Sequence, residues 1–219
     1  MECFFIVTAL WVFSVCLHEF GHAYVAYRGG DYTVRDKGYL TLNPIHYTHP
    51  IYSLLMPVVF MIMGGIGLPG GAVYIERHLL RSRAWDTWVS LAGPAMNVVL
   101  ILLLSLLFKL GIVSTDPNHL ASISLGFLTQ LQVSALILNL LPIPPLDGFQ
   151  AIAPWLPEDT REAMFRFSNQ GMWILFIALW YIHPLNAAFW DLVFAISNLL
   201  GVPDYLGYEG MRAFRFWVR

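Results

Sequence analysis

Long apolar stretches separated by short polar segments dominate the pattern of this chain. Three of them, at about residues 3–27, 84–110 and 120–141, have more than 20 residues each, which is long enough for an α-helix to cross a bilayer. Two further apolar stretches are interrupted, 51–68 by a proline and three glycines and 171–200 by a proline near its middle. The pattern predicts an all-α polytopic membrane protein with about four to six transmembrane or re-entrant segments.

The polar segment after the first apolar stretch has a different pattern. Tyr32-Thr33-Val34 and Tyr39-Leu40-Thr41-Leu42 contain residues that favour strands, and Asp36-Lys37-Gly38 between them is typical of a turn. A small β-strand element is therefore expected after the first helix. We see no internal repeat or low-complexity segment. We expect one membrane-embedded domain over 1–219, with a core at 3–155, a C-terminal helical segment at 171–200 and a tail at 201–219.

The composition indicates a lipid environment. Apolar residues make up 58% of the 219 residues, charged residues only 12%, and the mean hydropathy is +0.62, whereas soluble domains have about 25% charged residues. The net charge of −2 and the lack of a basic run argue against a nucleic-acid partner. The first apolar stretch has neither the basic start nor the small-residue cleavage site of a signal peptide, so we expect a retained span.

Three ionisable side chains interrupt the first apolar stretch, in the motif His18-Glu19-Phe20-Gly21-His22. Residues four positions apart lie on the same side of a helix, so His18 and His22 can bind one metal ion, with Glu19 beside it. Ionisable residues at membrane depth are costly and need a partner or a function. Interhelical hydrogen bonds without a metal are the alternative interpretation of the motif.

A catalytic zinc needs a third protein ligand and an open coordination position. Asp147 is the candidate, because it follows the proline-rich break Pro142-Ile143-Pro144-Pro145 after the third long apolar stretch. Irregular backbone at membrane depth is tolerated where it is buried in protein or lines a cavity. Asn139 lies on the other side of this break. An N-cap for a helix starting at Gly148 is the alternative role for Asp147, and the two roles do not exclude each other.

Two of these motifs together resemble the site-2 protease family of intramembrane zinc metalloproteases. They are His18-Glu-Phe-Gly-His22 and Asn139-Leu-Leu-Pro-Ile-Pro-Pro-Leu-Asp147-Gly148, and Ala92-Gly93-Pro94 with Asn97 is similar to a third signature of that family. The resemblance covers about residues 3–155, in the order that the family has. The short chain is similar to the compact branch that has no PDZ or CBS domain.

The resemblance implies a function and a set of functional residues. We expect an intramembrane zinc metalloendopeptidase of regulated intramembrane proteolysis, acting on single-span membrane proteins, with an adaptor or a second copy of the chain as a further candidate partner. Asn97 has two open interpretations, an interhelical hydrogen bond or a part in the active site. The implied site comprises one Zn²⁺ per chain, its ligands His18, His22 and Asp147, the catalytic base Glu19 and, for substrate binding, Asn139 and Asn97.

The positions of the histidine motif and of Asp147 restrict the topology, because both must reach the same metal ion. His22 and Asp147 lie near the C-terminal ends of their apolar stretches, so those ends must face the same side of the membrane. The stretches 84–110 and 120–141 supply two crossings, and 51–68 is then re-entrant or interfacial. Most basic residues then lie on the side of the site, which the positive-inside rule makes cytoplasmic. We expect the N-terminus outside the cell membrane. Residues 171–200 have two open interpretations, a single crossing that would put the C-terminal arginines outside or a hairpin broken at Pro184 that would keep them inside.

Two other functions could use the same residues. A catalytically inactive membrane scaffold could keep the fold, but it has no use for the base Glu19. A metal transporter could use the three ligands as a transit site, but such a site needs exchangeable ligands along a path. His46 and His49, three positions apart, suggest a second metal site, although loop or interfacial histidines are the simpler interpretation.

Overall fold

The computed structural model describes residues 1–43 and 73–218, and all the regular structure in these two ranges is helical. Two short 3-10 segments, Arg77–Leu79 and Ala153–Trp155, accompany the α-helices. In chain order the α-helices are α1 (Glu2–Gly29), α2 (Thr33–Asp36), α3 (Arg83–Lys109), α4 (Leu120–Asn139), α5 (Asp147–Ile152), α6 (Glu158–Arg166), α7 (Ser168–Tyr181), α8 (His183–Leu199) and α9 (Asp204–Phe214).

Three helices, α1, α3 and α4, are long and apolar enough to cross a membrane, and they coincide with the three long apolar stretches of the sequence. The chain is therefore an integral membrane protein. Helices α7 and α8 pass the same test as a pair, although they are bent by 91° at the break between them. Pro184 explains the break, because proline lacks the N–H that would continue α7 and is tolerated only in the first turn of a helix.

Helix α1 packs against both α3 and α4, and contacts at its two ends fix its place. At the C-terminal end, the Arg81 N–H donates a hydrogen bond to the Gly29 carbonyl at 2.9 Å, so α3 begins beside the end of α1 and runs antiparallel to it. At the N-terminal end, the rings of Phe4 and Phe214 lie 5.0 Å apart. Helix α9 therefore packs on the end of α1 that lies opposite the histidine motif.

The β-strand element expected after the first helix is wrong. Thr33 and Val34 lie in the one-turn helix α2, and 40–42 forms a bend. The Asp31 carboxylate accepts hydrogen bonds from the Thr33 N–H at 3.0 Å and from the Thr33 hydroxyl at 2.6 Å, and such local bonds favour a turn. A strand needs a partner strand, and neither 1–43 nor 73–218 contains one.

Between the single crossing and the hairpin that the sequence leaves open for 171–200, the contacts of α7 and α8 favour the single crossing, bent near Pro184. Met172 in α7 lines the same cavity as Asp147, so α7 begins at the level of the histidine motif. Helix α8 ends at the opposite level, because the Ser105 hydroxyl of α3 donates to the Leu200 carbonyl at 2.5 Å and Gly201 packs against Lys109. The bent pair thus runs from one end of the helix bundle to the other. The expectations for 51–68 and for His46 and His49 lie outside the described residues.

Candidate metal centre

Helix α1 presents His18, Glu19 and His22 to the interior of the protein, where all three side chains are buried. Gly21 allows this part of α1 to lie directly against α3. A Cβ atom on Gly21 would lie 2.8 Å from the Ala92 carbonyl oxygen and 2.8 Å from the Met96 side chain. Small residues permit such close approach of membrane helices. The motif therefore lies where α1 and α3 are in close contact.

The structure brings His18, His22 and Asp147 together at one point. The Nε2 atoms of His18 and His22 lie 3.0 Å apart. Asp147 Oδ2 lies 3.2 Å from His18 Nε2, and Asp147 Oδ1 lies 3.4 Å from His22 Nε2. Ligand atoms about 2.0–2.2 Å from a tetrahedral zinc ion are separated from one another by about 3.3–3.6 Å. The three separations, two of which involve different oxygens of the Asp147 carboxylate, are therefore close to those that a zinc site requires.

The second ring nitrogen of each histidine is already engaged. The Nδ1 of His22 lies 2.7 Å from the Val89 carbonyl oxygen, and the Nδ1 of His18 lies 2.7 Å from Asn97 Oδ1. A carbonyl oxygen can only accept, so each Nδ1 carries the proton that it donates, and each neutral ring then has a bare Nε2. Two nitrogen lone pairs and a carboxylate thus face one another. This arrangement fits a bound cation, and the outer hydrogen bonds fix the orientation of both rings.

Gly93 lies beside the Nε2 atoms of His18 and His22 and leaves space next to them. It lies in α3 opposite the two imidazoles, and a Cβ atom there would lie 2.5 Å from His18 Nε2 and would overlap His22 Nε2. A side chain at this position would therefore take up the volume next to both nitrogen ligands. Glycine leaves room for an ion between the rings and the backbone of α3.

Asp147 reaches the centre from the other side, as the first residue of α5. Leu146 occupies the N-cap position of that helix, so the alternative N-cap role of Asp147 is not the one the structure shows. Gly148 packs tightly on the end of α4, since a Cβ atom there would lie 2.7 Å from the Leu141 carbonyl oxygen. The proline-rich break and this glycine together turn the chain so that the Asp147 carboxylate faces α1.

A cavity of about 330 Å³ opens onto the three ligands, Glu19 and the buried Asn139. The Val73 N–H donates a hydrogen bond to Glu19 Oε2 at 3.0 Å. The sequence did not indicate this contact, because no motif marks Val73 as a partner of Glu19. The remaining lining residues come from 73–77, from the segments around Asp147 and from α7; they are Val73, Ile75, Arg77, Pro145, Leu146, Gln150 and Met172.

Asn97 lies behind His18 and is not among the residues that line the cavity. Its contact with a candidate ligand corresponds to the interhelical hydrogen bond that the sequence left open. Gly93 is the residue next to the ligands that sequence reasoning missed. The motif Ala92-Gly93-Pro94 was a signal for it, but small residues in a membrane helix are also typical of plain helix packing.

The chain is similar to three proteins with related names, to two of them over nearly its whole length. A protein of Mycolicibacterium smegmatis, provisionally named zinc metalloprotease Rip2, is 47% identical over 218 residues, which are 98% of this chain and 81% of that protein. Rip2 of Mycobacterium tuberculosis is 43% identical over 215 residues, with the same shares. YwhC of Bacillus subtilis, also provisionally named a zinc metalloprotease, is 33% identical over 185 residues, 80% of each chain. No protein-family model and no solved structure matches the chain.

Proposed function

The chain belongs to the site-2 protease family of zinc metalloproteases, and on that premise we propose that it hydrolyses peptide bonds of membrane-spanning substrates within the bilayer. The observation that carries this proposal is the convergence of His18 Nε2, His22 Nε2 and an Asp147 carboxylate oxygen, with Glu19 beside them, in one cavity. The centre is at the end of a membrane-spanning helix. A peptide bond presented there would be cut at or within the bilayer.

Each residue of the centre has a distinct part in the proposed reaction. His18, His22 and Asp147 would hold the metal, and Asn97 and the Val89 carbonyl orient the two rings. A zinc ion held there would supply Lewis acidity and would make a water molecule easier to deprotonate.

The proton transfers fall to Glu19. This carboxylate accepts a proton from the attacking water and passes it to the leaving amine nitrogen. The Val73 amide holds one of its oxygens in place, so the other is free for the transfer. Asn139 lines the same cavity, where its amide can hydrogen-bond the backbone of the substrate.

Replacement of the base tests the proposal. Glu19→Gln should leave about one zinc per chain and lower the cleavage rate by at least about 100-fold, because general-base catalysis contributes 10²–10⁴-fold. The measurements are elemental analysis and cleavage of fluorescein-labelled β-casein and of single-span membrane proteins by the purified full chain in detergent.

The matched control is Glu2→Gln on the same helix, where the side chain is exposed. It should behave like the wild type. Cleavage by Glu19→Gln at the wild-type rate would refute the role of Glu19, and a wild-type chain without zinc after dialysis would refute the proposed centre.

We also propose that the metal centre faces the cytoplasm from the cell membrane, with the N-terminus outside. The distribution of charge supports this orientation by the positive-inside rule. On the side opposite the centre, Lys109, Arg212 and Arg215 lie near the N-terminal end of α1. Eight basic residues belong to the segments on the side of the centre: Arg28, Arg35, Lys37, Arg77, Arg81, Arg83, Arg161 and Arg166.

Cysteine labelling tests this orientation. His78 and Thr115 are exposed and lie near opposite ends of α3. A maleimide that cannot cross membranes should label Thr115→Cys but not His78→Cys in intact cells. The native Cys3 and Cys16 are buried, so the unmodified chain is the blank. Labelling of both positions from outside, or of His78→Cys alone, would contradict the orientation.

The partners of the chain are proposed on the same grounds. Single-span membrane proteins fit as substrates, because the cavity with the candidate ligands lies at the end of a membrane-spanning helix. An adaptor or a second copy of the chain would supply specificity that one membrane domain does not. An inactive scaffold or a metal transporter is less favoured, because the relatives are named as metalloproteases.

A further inference from the structure

Residues 73–77, here called the wall segment, form one side of the cavity at the metal centre, through Val73, Ile75 and Arg77. The segment does more than enclose the space, because the Val73 N–H donates to Glu19 Oε2 at 3.0 Å. Within the described residues this is the hydrogen bond that orients the Glu19 carboxylate. The position of the base therefore depends on the position of a non-helical segment.

Asp31 anchors the other end of the wall segment. Its Oδ2 accepts a hydrogen bond from the Glu76 N–H at 2.7 Å, while its Oδ1 accepts two from Thr33. The residue is fully buried, at 0% exposure. A buried carboxylate is tolerated only where donors satisfy it, and hydrogen bonds to an ionised acceptor are about twice as strong as neutral ones. The Glu76 amide is therefore held firmly.

The anchor and the base are linked by a short piece of chain. Glu76 follows Val73 by three positions, which is about 10 Å of extended backbone, so a shift of Glu76 is transmitted to the Val73 amide. Lys37 adds a weaker hold, since its Nζ donates to the Tyr74 carbonyl at 3.1 Å and pairs with Glu76 at 3.0 Å. That side chain is partly exposed, and exposed pairs contribute little. Asp31 is the main anchor.

We propose that Asp31 is a positioning residue for the catalytic base, acting through the wall segment and the Val73 amide. The inference rests on the proposed function of Glu19. Asp31 itself follows Glu19 by 12 positions, about 18 Å along a helix axis, and it is not among the residues lining the cavity. It acts on the reaction only through the wall segment. Its loss would leave the three metal ligands in place and would displace the base.

The variant Asp31→Asn tests this inference against Asp36→Asn. Asparagine has the size of aspartate but only one acceptor oxygen, so either Thr33 or the Glu76 amide loses its partner. Asp36 is exposed in α2, so its substitution makes the same charge change five positions away without removing a buried acceptor. Both variants are purified as full chains in detergent, and hydrogen exchange of peptides covering the wall segment is measured beside zinc content and β-casein cleavage.

In Asp31→Asn we expect amide exchange at the wall segment to rise by at least about tenfold and kcat to fall by about 10- to 100-fold, because small misplacement of a reacting group costs rates of that order. KM should stay within about threefold of the wild type, zinc should stay near one per chain, and Asp36→Asn should match the wild type. This split distinguishes positioning from general damage, which would remove zinc as well.

Unchanged exchange at the wall segment in Asp31→Asn would overturn the inference, as would an unchanged kcat or a fall in kcat that only follows a loss of zinc. If the proposed role of Glu19 were wrong, the experiment would give a different result from these. In that case wild type and Glu19→Gln would have the same cleavage rate, whereas exchange at the wall segment would still report whether Asp31 anchors it.

Discussion

A closely packed glycine lies near each end of α1, but the space that the two glycines leave is used differently. At the N-terminal end, Gly210 of α9 lies against the backbone of α4, where a Cβ atom would overlap the Ile123 carbonyl oxygen and lie 2.6 Å from Phe127 Cβ. At the histidine end, Gly93 of α3 lies against the tips of two imidazole rings. The first glycine lets two backbones touch. The second leaves room next to the ligand atoms.

Side chains at these two glycines should therefore have different effects, one on the stability of the fold and the other on the metal centre. A side chain at Gly210 would push against a backbone that cannot move without disturbing α4. A side chain at Gly93 would push against the ends of His18 and His22, which can rotate away. The metal centre can therefore be destroyed while the helices stay packed, whereas a similar change at the other end should weaken the fold first.

The largest effect is expected for Gly93→Ala. The new methyl group would displace both imidazole nitrogens, so zinc content should fall below about a tenth of an ion per chain and cleavage should be lost. Helicity, measured by circular dichroism, should remain within about 10% of the wild type because the displaced atoms are side-chain ends. Zinc content is measured by elemental analysis of the dialysed protein.

Gly210→Ala is the matched control at the other end of α1. Overpacking of this kind costs about 1–3 kcal/mol, so the melting temperature should fall while the folded fraction keeps one zinc per chain. If Gly93→Ala kept its zinc, or if Gly210→Ala lost zinc without losing thermal stability, the division between the two ends would be wrong.

A smaller effect is expected for Asn97→Ala, which removes the acceptor for His18 Nδ1. Loss of such an outer partner typically weakens metal affinity by about 10- to 100-fold. Zinc should then be lost in dialysis against a chelator that leaves the wild type loaded, and added zinc should restore cleavage. Asn97→Asp retains an acceptor for the ring N–H and should hold zinc better than Asn97→Ala.

Ser105→Ala is the control on the same helix. Its hydroxyl donates to the Leu200 carbonyl near the opposite end of α3, so the change removes a buried hydrogen bond at a distance from the histidines. Zinc affinity should be unchanged. Equal loss of zinc in Asn97→Ala and Ser105→Ala would show that general loosening of α3, and not the ring orientation, controls the centre.

Sequence reasoning predicted the three long spans and the candidate ligands for identifiable physical reasons. Apolar length is a local property, and His18 and His22 are brought to one side by the helical repeat alone. The strand prediction at 32–42 was wrong because strands depend on partners, whereas the Asp31 carboxylate favours a turn at Thr33. The sequence left a single crossing and a hairpin open for 171–200, because proline marks a break but does not set the direction of the helix that follows it.

The sequence by itself determined that the chain is apolar enough for a membrane. It also determined that the imidazoles of His18 and His22 and the carboxylate of Glu19 share a helix turn. Composition is enough for the first property and helical periodicity for the second, because neither property depends on contacts between distant parts of the chain. Only the tertiary structure decided that Asp147 meets those imidazoles, that Gly93 faces them and that the Val73 amide binds Glu19. These contacts join residues 54 to 129 positions apart, and the packing of the helices, which no local pattern encodes, sets their distances.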